Sequence, residues 1–150
     1  MENLKYIIVK ENKDFNLVHK IWKKNVLKTH VFLKHEHFLL FNKTLKENLN
    51  NLNVQLLYKN DYNQVIGFSI ILEQKLEALF LDINYLNQGF GSKILKKLIK
   101  EFNINQVDVN EQNTRAYSFY LKNGFIFNDR KELDNFNLPY PTINLIFKGD

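Results

Sequence analysis

The sequence predicts an α+β (mixed α/β) fold, with elements in the order β-α-α-β-β-β-α-β-α-β-β. Such an order packs helices as a layer against a sheet. Three observations carry this. Short runs of β-branched and aromatic residues recur between clusters of Asn, Asp and Gly. Longer stretches repeat apolar residues at helical spacing. A glycine-punctuated turn joins an apolar strand directly to an amphipathic helix.

Residues 6–9 form a short β-branched run and read as the first strand. Asp14 is the expected cap of the next helix, along which Leu17, Val18, Ile21, Trp22 and Val26 recur on one face. A break falls at 29–32. A second helix is expected over 34–48, with Phe38, Leu39, Phe41 and Leu45 inward. Residues 48–53 (Asn-Leu-Asn-Asn-Leu-Asn) read as a loop or a frayed helix end. Segments 54–58 and 65–72 flank the polar cluster Asn60-Asp-Tyr-Asn63 and read as a hairpin, with 76–83 a third strand in series. Helix 92–102 carries Ile94, Leu95, Leu98, Ile99 and Phe102 on one face. A short strand at 106–109 leads to helix 113–123, with Ala116, Phe119 and Tyr120 on one side and Gly124 placed to stop it. Strands 125–128 and 142–147 close the chain, joined by a loop that carries Leu138-Pro-Tyr-Pro141.

The 150 residues have the size of one ordinary domain, so a single domain over 1–150 is expected. Apolar residues at 45% and charged residues at 25% exclude a disordered or collagen-like chain. The absence of cysteine excludes a disulfide framework, a thiolate metal site and a cysteine nucleophile. Lysine makes up 19 of the 21 basic residues, and 22 residues are asparagine. This bias is that of an AT-rich genome and says little about function. The net charge of +5 lies in the first half: residues 1–75 set twelve lysines against seven acids, while 76–150 balance nine against nine. The lysines are scattered, as on a solvated face, so no nucleic-acid partner is expected. No apolar stretch reaches membrane-span length, and the N-terminus lacks a signal pattern. A cytoplasmic protein without a membrane partner is therefore expected.

The densest chemical signal is Leu86-Asn-Gln-Gly-Phe-Gly-Ser92. Gly89 and Gly91 remove side chains where backbone N–H groups can turn toward an anion. The helix that follows adds its positive end. The turn is neither a Walker loop, since the Gly-Lys-Ser/Thr ending is missing, nor the full dinucleotide fingerprint, since Lys93–Ile94 stand where a third glycine would fall. The second signal is Asn113-x-x-Ala116-x-x-x-Tyr120-x-x-x-Gly124-Phe125. Asn113, Ala116 and Tyr120 share a helix face and would form a wall along a ligand; the other reading is a capped amphipathic helix with a half-buried tyrosine.

Together these stretches resemble the GNAT (GCN5-related N-acetyltransferase) superfamily. Strand 76–83, the Gly89/Gly91 turn and the helix to Phe102 are similar to its acetyl-CoA motif A. Val109-Asn-Glu-Gln-Asn113 through Gly124-Phe125 is similar to motif B. Thr29-His30-x-Phe32-Leu33, Ala78-Leu79-Phe80, Val109-Asn-Glu-Gln-Asn113 and Pro139-Tyr140-Pro141-x-x-Asn144-Leu145 resemble the small bacterial YjaB-like subgroup over nearly the whole chain. One departure stands out: Leu86 occupies the place, three residues before the first glycine, where the family usually has Arg or Gln.

The resemblance implies a central mixed, mostly antiparallel sheet with helices on both faces. It implies acetyl-CoA as cosubstrate, no metal, an amine-bearing small molecule or peptide as acceptor, and a monomer or homodimer. The pantetheine arm would run along Leu79, Phe80 and Leu81. The pyrophosphate would sit on the N–H groups of Gln88, Gly89, Phe90, Gly91 and Ser92, with Lys93 assisting. Asn113, Ala116 and Tyr120 would line the arm, and Tyr120 would be the general acid: a phenol with a reference pKa of about 10 can donate to a leaving thiolate. Glu77 and Glu73, flanking the strand, are candidate bases, either directly or through water. His30, Phe32 and Tyr140 are candidates for acceptor contacts; a helix C-cap is the equal alternative for His30, and an edge-strand entry for Tyr140. His35-Glu36-His37 lacks metal spacing, because side chains two apart on a helix diverge. A non-catalytic acyl-CoA-binding module is the alternative function, with Leu86 marking a degraded site.

Overall fold

The computed structural model describes residues 4–52, 54–59 and 62–149, and for Tyr58 and Lys59 the backbone. Its elements are β1 (Leu4–Ile8), α1 (Asn12–Thr29), α2 (His35–Asn48), β2 (Val54–Lys59), β3 (Gln64–Leu72), β4 (Lys75–Leu81), α3 (Phe90–Phe102), β5 (Gln106–Asn110), α4 (Thr114–Lys122), β6 (Phe125–Lys131) and β7 (Thr142–Phe147). The order expected from the sequence holds. Asn60 and Asp61 of the expected hairpin turn, and Asn53 of the expected loop, lie outside the described residues.

Several boundaries differ, each for a local reason. Glu11, not Asp14, stands at the N-cap of α1; its carbonyl accepts the Asp14 and Phe15 N–H groups at 3.0 and 3.1 Å. Asp14 lies in the first turn, where a negative charge meets the positive end of the helix. Leu39 is 51% exposed, because Phe38 takes the inward position and stacks on Trp22 at 5.7 Å between ring centroids. The next residue on a helix points about 100° away. The third strand of the series stops at Leu81, short of Ile83: Asp82 Oδ1 accepts the Asn84 N–H at 3.0 Å and turns Ile83–Tyr85 into a 3₁₀ turn. Helix α3 starts at Phe90, ahead of Ser92, because Gly89 takes φ 83° and serves as its N-cap. Strand β6 runs on to Lys131, since β7 pairs with its polar half from Asp129 to Lys131.

The seven strands form one sheet in the order β1-β2-β3-β4-β5-β7-β6. Every neighbouring pair is antiparallel except β4 and β5. That parallel pair holds register at Lys75↔Gln106 and Leu76↔Val107 and nowhere beyond. From there β4 continues to Leu81 and β5 to Asn110 without pairing, so the sheet splits into a wedge. The split coincides with a β-bulge. Ile71 faces Leu76 and Ile70 faces Ala78, which leaves Glu77 unopposed. A bulge of this kind sharpens local twist and bends its strand.

Helices cover the sheet on both faces. Under α3 and α4, Leu76, Ile94, Leu95, Leu98, Val107, Phe125 and Leu145 are buried together. Under α1, Val18, Ile21, Leu56, Phe68 and Ile70 form the opposite layer, with Ala78 and Phe80 of β4 packed against it. Among the described residues no helix is long and apolar enough to cross a membrane.

At Gly67 the strands approach so closely that a Cβ would land on the Phe80 carbonyl oxygen and lie 3.1 Å from Leu81 Cα. We expect Gly67→Ala to destabilise by about 1–3 kcal/mol. Thermal melting should show a fall of roughly 2–4 °C for each kcal/mol.

Candidate active site

The turn between β4 and α3 presents backbone to the open end of the wedge. Gly89 holds the left-handed conformation that lets the chain reverse into the helix, and a Cβ built there meets nothing within 4 Å. Its outer side is therefore open space. The first-turn N–H groups of Gly91 and Ser92 have no acceptor within the helix, and they gather at its positive end. Gly91 is needed for a different reason: its Cβ would press on the Phe119 ring at 3.1 Å, so glycine lets α4 close over the turn. The Phe90 side chain is buried against Tyr85, which leaves only its backbone for a ligand. Gln88 folds back, its Nε2 donating to the Asn84 carbonyl at 3.1 Å. Lys93 is exposed at the end of the first turn of the helix. These features suit an anionic diphosphate held by main chain.

Helix α4 supplies the wall. Asn113 is its N-cap, with Oδ1 accepting the Ala116 N–H at 3.2 Å. Its Nδ2 has no partner among the described residues and remains a donor. Ala116 packs on the core, and one turn later comes Tyr120. Tyr120 is 6% exposed, between the Phe119 and Phe125 rings at 5.2 and 5.5 Å. Its hydroxyl bonds to no described residue. No described side-chain N or O is sealed without a partner, so this oxygen must reach open space. Burial pushes the phenol above its ordinary value, so it stays protonated across the neutral range.

On the opposite face the structure brings the other candidates together. His30 and Phe32 lie in the elbow between α1 and α2, with ring centroids 5.3 Å apart. Phe32 contacts Tyr140 at 6.1 Å, and His30 contacts Phe80 of β4 at 6.5 Å. Tyr140 is 4% exposed; its hydroxyl accepts the Lys34 N–H at 3.0 Å and lies 2.5 Å from His37 Nδ1. The last loop is thereby fastened to α2. Glu77 stands exposed at the bulge. Glu73 lies in the turn before β4, at φ 56°. His30 does occupy the C-cap position of α1, with its N–H on the Val26 carbonyl. Its ring nevertheless faces the aromatic chain rather than capping a carbonyl.

Residues 23–137 match the model of the acetyltransferase (GNAT) domain family. The chain belongs to the GNAT family. It is 31% identical over 127 residues to the peptidyl-lysine N-acetyltransferase YjaB of Salmonella typhimurium, covering 85% of this chain and 87% of that one. Against YjaB of Escherichia coli it is 31% identical over 129 residues, 86% of this chain and 87% of the relative. The solution structure of apo YjaB from Escherichia coli superposes with a TM-score of 0.88 at 27% identity, covering 99% of both chains. The PaiA N-acetyltransferase of Thermoplasma acidophilum, solved with coenzyme A, shares the fold at a TM-score of 0.68 and 20% identity over 95% of this chain and 98% of its own. This GNAT protein is an acetyl-CoA-dependent N-acetyltransferase.

Reading the sequence missed three contributors. Arg115 Nη2 donates to Asn87 Oδ1 at 2.6 Å and so sets a guanidinium beside the glycine turn. Arg130 grips Glu111 through Nε and, at 3.3 Å, through Nη2. The Glu111 N–H also donates to the Pro141 carbonyl at 2.8 Å. The third is His37, which fixes Tyr140. In a chain whose cations are overwhelmingly lysine, the two arginines were the available signal, since a planar fork suits fixed pairing in a way an ammonium does not.

Asn113→Ala should cost about 0.5–2 kcal/mol through loss of the α4 cap. Equilibrium urea unfolding measures this directly.

Proposed function

We propose that acetyl-CoA enters the β4–β5 wedge and that the acceptor is the side-chain amine of a peptidyl lysine. The observation that carries this reading is the split itself; it is supported by Tyr120 in the layer under α3 and α4 and by the His30–Phe32–Tyr140 rings on the opposite face of the sheet. The unpaired edge of β4 at Leu79, Phe80 and Leu81 offers backbone to the pantetheine amides, and Asn113 Nδ2 offers a donor across the gap. The N–H groups from Gln88 to Ser92, with Lys93, offset the diphosphate charge. Arg115 supplies the cation that Leu86 does not. Tyr120 protonates the departing thiolate as the amine nitrogen joins the acetyl carbon.

A peptide acceptor is favoured by the relatives, which are peptidyl-lysine N-acetyltransferases, and by a cleft of about 240 Å³ beside the closed end of the wedge. That cleft is polar and charge-balanced: Lys75 and Lys131 against Asp108 and Asp129, with amides from Asn128 and Asn144. Such a lining suits peptide groups better than a polycation. We further propose that the enzyme works in the cytoplasm of a bacterium, as its bacterial relatives suggest.

Tyr120→Phe should lower kcat by about 100-fold. Its acetyl-CoA affinity and melting temperature should hardly move, since the lost hydroxyl bonds to no described residue. The assay is free-thiol release with lysine peptides, with mass spectrometry placing the acetyl group on Nζ. Full activity in this variant would remove the assigned acid. Arg115→Ala should weaken acetyl-CoA binding by several-fold, about 1 kcal/mol for an exposed charge contact. Calorimetry at low and high salt would show the difference shrinking as salt rises.

A further inference from the structure

The hydrogen-bond geometry at the end of α1 points to one tautomer of His30. Thr29 Oγ1 donates to the Asn25 carbonyl at 2.7 Å, which uses its single hydrogen. His30 Nδ1 lies 2.8 Å from that same oxygen. Both contacts are satisfied only if Nδ1 carries hydrogen and donates to Thr29 Oγ1. Nε2 is then a bare lone pair, with no partner among the described residues. The ring stands between Phe32 of the acceptor side and Phe80 of the wedge strand.

We propose that His30 Nε2 is the general base that accepts the proton of the incoming amine. The inference rests on the wedge reading above. Burial pushes the imidazole below its ordinary value, which keeps that lone pair available at neutral pH. Near His30 along the chain stand Lys28 on α1 and Lys34, His35, Glu36 and His37 at the elbow and the start of α2; β4 carries Lys75 and Glu77, and the last loop Tyr140. The depression comes from burial and not from these charges. Glu77, by contrast, is a solvated carboxylate at the bulge.

The step balances as follows. The nitrogen of the neutral amine bonds to the thioester carbonyl carbon, and one of its protons passes to Nε2. The carbon–sulfur bond breaks, and the thiolate takes the Tyr120 proton. His30 then gives its extra proton to water while the phenolate regains one, so amine and thioester leave as amide and thiol.

The test is the pH dependence of kcat/KM for wild type, His30→Gln and His30→Ala, with lysine peptides as acceptors. Wild type should lose activity on the acid side, with a midpoint below 6.5, the ordinary histidine value. His30→Gln should lose about 100-fold in kcat and lose that limb with it, while acetyl-CoA affinity stays within about threefold. Added imidazole should restore part of the activity of His30→Ala. Thr29→Val keeps the imidazole but frees its tautomer, and should lower kcat several-fold without raising KM. If His30→Gln keeps the limb, or if Glu77→Gln abolishes it instead, the proposal is overturned. An error in the wedge reading would show elsewhere: acetyl-CoA would fail to bind, or Tyr120→Phe would stay fully active.

Discussion

The structure turns on one interruption. Parallel pairing between β4 and β5 stops after Leu76 and Val107, at the point where Glu77 bulges out of register with β3. Unpaired strand edges are normally avoided, because each exposes a row of unmet backbone donors and acceptors. Here two such edges face each other inside the sheet, between helices packed on both of its faces. In the proposed function this gap takes an extended, amide-bearing molecule, whose amides meet these backbone groups.

The split also sorts the chemistry by face. Tyr120 belongs to the layer under α3 and α4, while His30, Phe32 and Tyr140 belong to the layer of α1, α2 and the last loop. In the proposed mechanism the proton donor and the proton acceptor therefore come from opposite faces of the sheet. Neither sits on the sheet itself; each is held by its own aromatic neighbours, so the chemistry depends on packing in both layers.

Much of this was legible in the residues. The glycine turn, the Asn113–Ala116–Tyr120 face and the order of elements followed from spacing alone, since backbone reversal and helical period are local matters. The ends of elements were less legible because they depend on partners distant in sequence. Strand β6 runs through Asn-Asp-Arg-Lys because β7 lies beside it. Leu39 turns outward because Trp22 claims its neighbour. The contacts of Arg115, Arg130 and His37 were hidden for the same reason: each is made across the fold. His30 shows the limit well. Its residue type suggested an acceptor contact, but only the hydroxyl of Thr29 and the carbonyl of Asn25 say which ring nitrogen is bare.

The grip of Arg130 on Glu111 has a mechanical side. Glu111 lies two residues before Asn113, and its N–H is bonded to the Pro141 carbonyl, next to Tyr140. One strut therefore ties together the two segments that the proposed function assigns to the arm of the thioester and to the acceptor. The carboxylate of Glu111 is held below its usual range by the Arg130 guanidinium, so acidification has to go unusually far before this brace slackens. A surface ion pair thus links the loop before α4 to the loop that carries Tyr140.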